Sequence, residues 1–457
     1  MGKKKIFTLL ILAVFIISSG FGCKWNPFSK EKELYNNITL EYWGVWDTYD
    51  QLKALISDYQ ASHPTIKVNY RNFRYDEYER ELLEAWADDR GPDIFAIPAT
   101  WIKKYEPRLE PMPASHKIPV YETQGTIKQE VITVLKEFKG LPLNDIKTKY
   151  VPVVYEDIVL NDQIYGLPYS LDTLVTFYNQ DMLDQAAIPE PAVDFYDLVD
   201  QAPKLTRATE ANRIIQSTVA LGGTSNVPRF FDIFSSIMLQ NGVEVKGNSF
   251  NPLENRESAD RLAQVFSFYT DFAKAGRASY SWNSDLENAF DMFAAGKLAY
   301  FFGYSYHADE LRKRGLPFNW GITKFPQTRG AEGTKYYTNY WVNVVAKKSS
   351  NTNAAWNFIQ STANAEKVSI YLNANKKPTA LRALITQQLS DPDISVFASQ
   401  VQTADSWYNG YNVELAEQYL KETIDALVSG EAILDKEGNT LRLFVNRINQ
   451  TYKAPEK

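Results

Sequence analysis

Ile38 to Trp43 is a run of strand-forming residues, and Tyr49, Leu52, Leu55, Ile56 and Tyr59 then recur at helical spacing, which gives one apolar face. Thr48 and Gln51 have the spacing of a capping box at the start of that helix, and Pro64 marks its end. Ile66, Val68 and Tyr70 alternate as in a strand, Tyr75, Tyr78, Leu82 and Trp86 return to helical spacing, and the apolar run IFAIP follows GPD. The order strand, helix, strand, helix, strand predicts an α/β lobe with a parallel sheet covered by helices. Ligands in such sheets settle outside the carboxyl ends of the strands, where the stretch LEYWGVWDTYD places Trp43 and Trp46.

Residues 115 to 160 show one amphipathic helix pattern, around Val131 to Phe138, and are expected to be an insertion covering the lobe edge. QIYGLPYSLDTLVTFYNQDML begins a second alternation, with Gly166 and Pro168 suited to a crossover between lobes. From there to about Gly321 the pattern is mostly helical. WGITKFP and YWVNVVAK predict strands, AAWNFIQSTANAEKVSIYLNA predicts an amphipathic helix, and the chain from about Lys376 is helical with polar faces. There is no internal repeat of the length that builds solenoids.

A length of 457 residues accommodates two lobes, each with its own core. With 55 acidic and 49 basic residues the formal charge is -6, and no basic run follows the first few positions, so nucleic acid is not an expected partner. Lys3 to Lys5 followed by the apolar stretch Ile6 to Ile17 has the form of an export signal, too short to span a bilayer. The sole cysteine, Cys23, lies just beyond it in SSGFGC, which resembles the lipobox of bacterial lipoproteins. Gly22 fits the small residue before the cysteine, whereas Gly20 stands where leucine is usual. The expectation is a signal at 1–22, lipid on Cys23, a polar tether at 23–36 and a mature chain of 457 - 22 = 435 residues. The alternative is an incidental cysteine behind an ordinary cleavage site.

The succession YWGVWD, HPTIKVNY, GPDIFAIP, IYGLPYSLDTLVTFYNQDML, LQNG, AFDMFAAGKLAYFFGYSY and NYWVNVVAKKSSNTNAAWNFI, in this order and spacing, resembles the family 1 extracellular solute-binding proteins, the group of maltose-binding protein. That resemblance implies a two-lobed periplasmic-binding-protein-like fold of type II, with interlaced α/β lobes joined by a hinge. It implies lobe 1 at 37–166 and 323–374, and lobe 2 at 167–322 and 375–457. It also implies a ligand cleft between the lobes and delivery to the membrane subunits of an ABC importer. The protein is then expected as a monomer on the outer face of the cytoplasmic membrane, held by its lipid and without a cofactor.

A sugar presents hydroxyls at its rim and C–H patches on its faces, so its site needs carboxylates or amides together with aromatic plates. Trp46 is the leading plate of the first lobe. Asp47 can bond a hydroxyl or cap the following helix, the latter being the commoner role of a carboxylate there. Thr100 and Trp101 follow the IFAIP strand, Trp101 either stacking or packing. By resemblance, Asp172 occupies the place of a ligand-binding carboxylate at the start of the second lobe, with Tyr169 beside it. Its alternative role is an N-cap. Asn226 and Asp232 flank VPRFF. Tyr304 and Ser305 follow the strand AYFFG, Asn339 and Trp341 come from the returning strand, and Trp407 with Tyr408 lies where maltose-binding protein carries an aromatic plate. Each aromatic has a core role as its alternative.

Enzyme signatures are weak. His63, His116 and His307 form no metal-binding pattern, GYSYH lacks the second glycine of a nucleophile elbow, and DKEGN lacks the aspartate spacing of an EF-hand. An exported glycosidase using Asp172 with Asp232 or Asp93 is the rival, although 55 carboxylates supply such pairs by chance. A non-sugar solute is a second rival, and an adhesin or structural envelope lipoprotein a third. The reading carried forward is a non-enzymatic, lipid-anchored receptor for a carbohydrate, an oligosaccharide in view of its many aromatics.

Overall fold

The computed structural model describes residues 37–454 apart from 126–128, 212, 246, 248, 332 and 435–437. The expected export signal, Cys23, the tether and most of the DKEGN turn lie outside the described residues.

The first alternation folds as its pattern predicts. Strands Ile38–Gly44, Ile66–Asn72 and Ile94–Pro98 run parallel, with the helices Tyr49–Ser62 and Tyr75–Ala87 between them. Trp341–Val345 returns antiparallel against Ile94–Pro98, so the sheet order is 341–345, 94–98, 38–44, 66–72. Helix Tyr49–Ser62 starts with the expected box: Gln51 Oε1 accepts from the Thr48 backbone at 2.9 Å. Its Leu52, Leu55, Ile56 and Tyr59 face the core.

A second, five-stranded sheet has the order 207–208, 214–219, 298–303, 175–179, 320–324. Its strands interrupt the stretch expected to be mostly helical. Leu298–Gly303 is buried along its whole length and carries no polar alternation, so periodicity does not separate it from the helix Ala289–Ala294 before it.

The amphipathic helix expected around Val131 to Phe138 is instead a strand. Glu130–Lys139 pairs antiparallel with Ser115–Gln124 in a long ribbon. The β-branched run Val131, Ile132, Thr133, Val134 favours the extended chain over the helical spacing. The single helix expected in AAWNFIQSTANAEKVSIYLNA is two, Thr352–Thr362 and Ala365–Asn375. The Asn364 side chain caps the second by accepting from the Lys367 backbone at 3.0 Å.

Two separate hydrophobic cores divide the chain. One runs from Leu40 to Leu171 and from Tyr340 to Leu384, with Val401 and Ala404 added; the other runs from Leu174 to Tyr337 and from Ile394 to Tyr452. Residues 323 to 337, expected in lobe 1, therefore belong with the second core, because Trp320–Lys324 pairs with Val175–Asn179, and residues 375 to 384, expected in lobe 2, belong with the first, where Ala380, Leu381 and Leu384 are buried. Three of the passages between the cores meet in one small sheet of Ala404–Asp405, Tyr336–Asn339 and Asp172–Thr173.

Asp157 braces this hinge from helix Pro152–Ile158. Its carboxylate accepts from Tyr340 Oη at 2.7 Å and from Ser406 Oγ at 2.5 Å, two residues on different crossings. Burial pushes its pKa up to about 7, against the pull of the Ser406 and Tyr340 hydrogen bonds. A carboxyl that holds its proton more tightly when folded than when unfolded costs stability as pH rises between the two values, here from about 4 to about 7. Asp157→Asn is thus predicted to match the wild type near pH 4 and to exceed it increasingly up to pH 7, in melting temperatures recorded across that range. A difference that does not change with pH would rule the argument out.

Candidate functional site

The carboxyl ends of the first sheet open onto a cavity of about 660 Å³ between the lobes, within the range of ~300–1,000 Å³ usual for small-molecule sites. Gly44 ends the first strand where the Tyr70 hydroxyl lies so close that a Cβ would collide with it. The chain then turns outward. Trp43 stays in the core against Phe73, with ring centroids 4.6 Å apart, whereas Trp46 is 57% exposed and stands in the cavity wall. Around Trp46 are Tyr75, near-parallel at 5.7 Å, and Trp341, edge-on at 6.1 Å. Tyr306 of the second lobe faces it across the cleft at 6.3 Å, with only 14° between the rings. At that separation the two near-parallel rings pack on each other, so Trp46, Tyr75, Trp341 and Tyr306 form one aromatic wall, spanning both lobes, that suits a flat, partly apolar ligand face.

Asp47 is not a helix cap, since Thr48 fills that position. Its Oδ1 accepts from Lys377 Nζ at 2.6 Å and from Tyr371 Oη at 2.8 Å, so a cation and a phenol cover it from behind. Asp172 lies on the hinge strand opposite Asn339. Its Oδ2 accepts from the backbone N–H and the Oγ of Ser305, at 2.8 and 2.6 Å, and its Oδ1 from the backbone of Thr173 at 2.9 Å. It thereby supplies acceptors to the first turn of helix Ser305–Arg314, a cap donated from the hinge rather than from the preceding residue. Burial raises its pKa to about 6 despite these donors.

Asp232 is buried and paired with Arg229 at 2.6 Å, and also accepts from Tyr304 Oη at 2.8 Å. Arg229 takes a left-handed backbone (φ 64°) at the head of helix Phe230–Gln240, a conformation that costs about 1–2 kcal/mol in a non-glycine residue. Its guanidinium lies 5.4 Å over the Tyr304 ring. His307 is held neutral, its pKa lowered to about 3 by burial and by Arg229, and its Nδ1 accepts from the Tyr304 backbone at 3.0 Å. That bond fixes the turn that presents Tyr304, Ser305 and Tyr306.

Of the fourteen candidate binding residues, the cavity is lined by Trp46, Asp47, Thr100, Trp101, Tyr169, Asp172, Asp232, Tyr304, Ser305, Asn339 and Trp341. Several of these are more wall than plate. Tyr169 is buried with its hydroxyl on Thr362 at 2.7 Å, and Trp101 is buried with its indole N–H donating to Glu414 of the second lobe at 2.6 Å. Lys104 meets the same carboxylate at 3.5 Å, so Glu414 clasps the first lobe twice. Three candidates fall outside. Asn226 is occupied by Trp282 and the carbonyls of Asn283 and Leu286, and Trp407 packs between Phe231 and Phe250 with its N–H on Ser235. Tyr408 lies buried against Tyr452. Asp93 also leaves the cavity: it accepts from the Glu41 backbone and from Ser349.

The sequence reading missed Tyr75, Arg229, Tyr306, Tyr371, Lys377 and Glu417. Tyr306 was within reach, since it follows Ser305 in a loop after a strand. Tyr75 falls on the apolar face of its helix by periodicity, and nothing local marks Lys377. Among the described residues no group of His, Cys, Asp and Glu is arranged to hold a metal ion, and no helix is long and apolar enough to cross a membrane.

The family model for bacterial extracellular solute-binding proteins matches residues 54–383, well over half of the chain. The chain is a bacterial extracellular solute-binding protein. A galactooligosaccharide-binding protein of Bacillus subtilis (strain 168) is 21% identical to this solute-binding protein over 401 residues, covering 85% of it and 80% of the relative. Among solved structures, the cyclic alpha-maltosyl-1,6-maltose binding protein from Arthrobacter globiformis superposes with a TM-score of 0.70 at 14% identity, covering 91% of this chain and 99% of that one. The sugar-binding protein MalE from Xanthomonas citri gives 0.68 at 17% identity, covering 91% and 97%. These superpositions carry the two-lobed fold of the solute-binding proteins.

The two classes of tryptophan should separate experimentally. Trp407→Ala is predicted to destabilise the solute-binding protein by about 3–5 kcal/mol in urea unfolding, through loss of packing. Trp46→Ala, at an exposed position, should stay within about 0.5 kcal/mol of the wild type.

Proposed function

We propose that this solute-binding protein captures a carbohydrate, an oligosaccharide, in the cleft between its lobes and presents it to an ABC importer while tethered by lipid on Cys23 outside the cytoplasmic membrane. The observation that carries the reading is the aromatic wall of Trp46, Tyr75, Trp341 and Tyr306, set among carboxylates, amides and hydroxyls. Rings match the C–H faces of a sugar, and the polar groups match its hydroxyl rim. The names of the relatives support the ligand class, as does a structure of an ABC substrate-binding protein from Listeria monocytogenes in complex with cycloalternan. Closure follows from contacts made by both lobes: a ligand that touches both binds the closed form better and shifts the population by that difference.

Binding without turnover is the consistent role for Asp172 and Asp232. A glycosidase needs one carboxyl free to give a proton and another free to attack or to activate water. Here Asp172 is engaged by Ser305 and Thr173, and Asp232 by Arg229 and Tyr304.

A thermal-shift screen over oligosaccharides tests the proposal. A true ligand at 100 times its Kd adds about 2.7 kcal/mol of stability, and incubation should leave it intact on chromatography. Trp46→Ala should weaken that ligand by about 2 kcal/mol, roughly thirty-fold in Kd. Silence across the sugars with a hit among peptides or polyamines would overturn the ligand class.

A further inference from the structure

The ion pair of Arg229 and Asp232 is shared unevenly. Every hydrogen bond to the Asp232 carboxylate among the described residues falls on one oxygen. Oδ2 accepts from Arg229 Nε at 2.7 Å, meets Arg229 Nη2 at 2.6 Å, and also accepts from Tyr304 Oη at 2.8 Å and Asn339 Nδ2 at 3.4 Å. Oδ1 has no partner among those residues, although the side chain is only 6% exposed and belongs to the cavity lining. Arg229 complements it. Its Nε and Nη2 are held by Asp232, whereas Nη1 has no partner among the described residues, and the half-buried side chain lines the same cavity.

The pair stands at the end of the aromatic wall. The Arg229 guanidinium lies 5.4 Å over the Tyr304 ring, Tyr304 is near-parallel to Tyr306 at 6.3 Å, and Tyr306 is near-parallel to Trp46 at 6.3 Å. A sugar lying against that wall turns its hydroxyl rim toward Arg229 and Asp232. The left-handed backbone of Arg229 fits this place, since strain of that kind persists where the surrounding structure fixes a residue for binding.

A buried carboxylate oxygen without a donor is costly, and a ligand that donates to it recovers the cost. An ionised carboxylate only accepts and a guanidinium only donates, but a hydroxyl does both. Two adjacent hydroxyls therefore match the pair. A ligand carboxylate would suit Arg229 and be repelled by Asp232, and an ammonium group would meet the reverse.

We propose that Arg229 and Asp232 form a specificity-determining pair that reads two adjacent hydroxyls on one sugar unit, Asp232 Oδ1 accepting from one and Arg229 Nη1 donating to the other. This rests on the carbohydrate reading above.

Calorimetry on the full chain tests the pair. Galactooligosaccharides, maltotetraose and mannotriose are the parent probes, and monodeoxy derivatives of any that bind remove one hydroxyl at a time. In the wild type, loss of either paired hydroxyl should cost about 10- to 100-fold in affinity. Arg229→Lys keeps a cation beside Asp232 but loses the planar fork, and Asp232→Asn keeps an oxygen for Arg229 while the ligand meets an amide donor. Each variant should weaken the parent sugar by a similar factor and erase the deoxy penalty at one hydroxyl only, and the two erased positions should be neighbours on one ring. A pair that merely supports the fold would lower the melting temperature and leave every deoxy penalty as in the wild type. Should a variant not fold, fluoro derivatives on the wild type decide: fluorine, which accepts and cannot donate, should keep the penalty at the hydroxyl facing Asp232 and relieve it at the neighbour facing Arg229. Penalties that neither variant erases, erased positions that are not adjacent, or a fluorine pattern without such neighbours would overturn the assignment and leave the carbohydrate reading standing. Failure of every carbohydrate to bind the wild type would overturn both.

Discussion

Hydrogen bonding among three chain crossings that share one sheet is the constraint on which the cleft depends. Asp172–Thr173, Tyr336–Asn339 and Ala404–Asp405 form one sheet, so no crossing can bend without carrying the others. Three of its residues, Asp172, Tyr337 and Asn339, are also cavity wall. Asp172 holds the turn that begins the helix at Ser305, and Asn339 reaches Asp232 at 3.4 Å. Hinge and binding surface thus share atoms, and a ligand resting on the floor of the cleft acts directly on the element whose geometry sets the lobe angle.

The walls divide their tasks. The first lobe contributes mostly ring surface, Trp46, Tyr75 and Trp341, on strand ends and a helix start that the buried sheet keeps rigid. The second contributes the strained Arg229 with Asp232, the Ser305 turn, and Tyr306 as the opposing ring. Most charges in the cavity are neutralised within their own lobe, Asp47 by Lys377 and Asp232 by Arg229, so bringing the lobes together does not bury an unpaired ion from either pair. Glu414 instead finds its partners, Trp101 and Lys104, on the other side.

Much of this was legible in the sequence, for identifiable reasons. Periods of two and 3.6 gave the first lobe, and the rule that sites sit at carboxyl strand ends brought Trp46 to the cavity, while Thr100 and Trp341 followed from the family resemblance. What escaped depended on pairing between distant segments. WGITKFP has the composition of a strand, but only its partner Val175–Asn179 assigns it to the second lobe. The surroundings of Trp407 and Tyr408 read as helical, yet both lie in the irregular segment between Ala404–Asp405 and helix Val413–Ser429, and their packing against Phe231 and Tyr452 is set by tertiary structure. Asp47 failed in the other direction, because its cation comes from Lys377, far along the chain. The ribbon at 115–139 was lost to period alone when its β-branched composition pointed to strand.

The interlaced connectivity also dictates an order of assembly. The first sheet has Ile94–Pro98 as an unpaired flank until Trp341–Val345 arrives, and its core is incomplete until the chain reaches Leu384. A polypeptide emerging from its amino end therefore cannot finish the lobe it starts first. Residues 174 to 337, which belong to the second core, are made beforehand, and long-range closure of this kind is slow. The nascent molecule stays unlocked for most of its synthesis, a condition well matched to threading through a narrow pore.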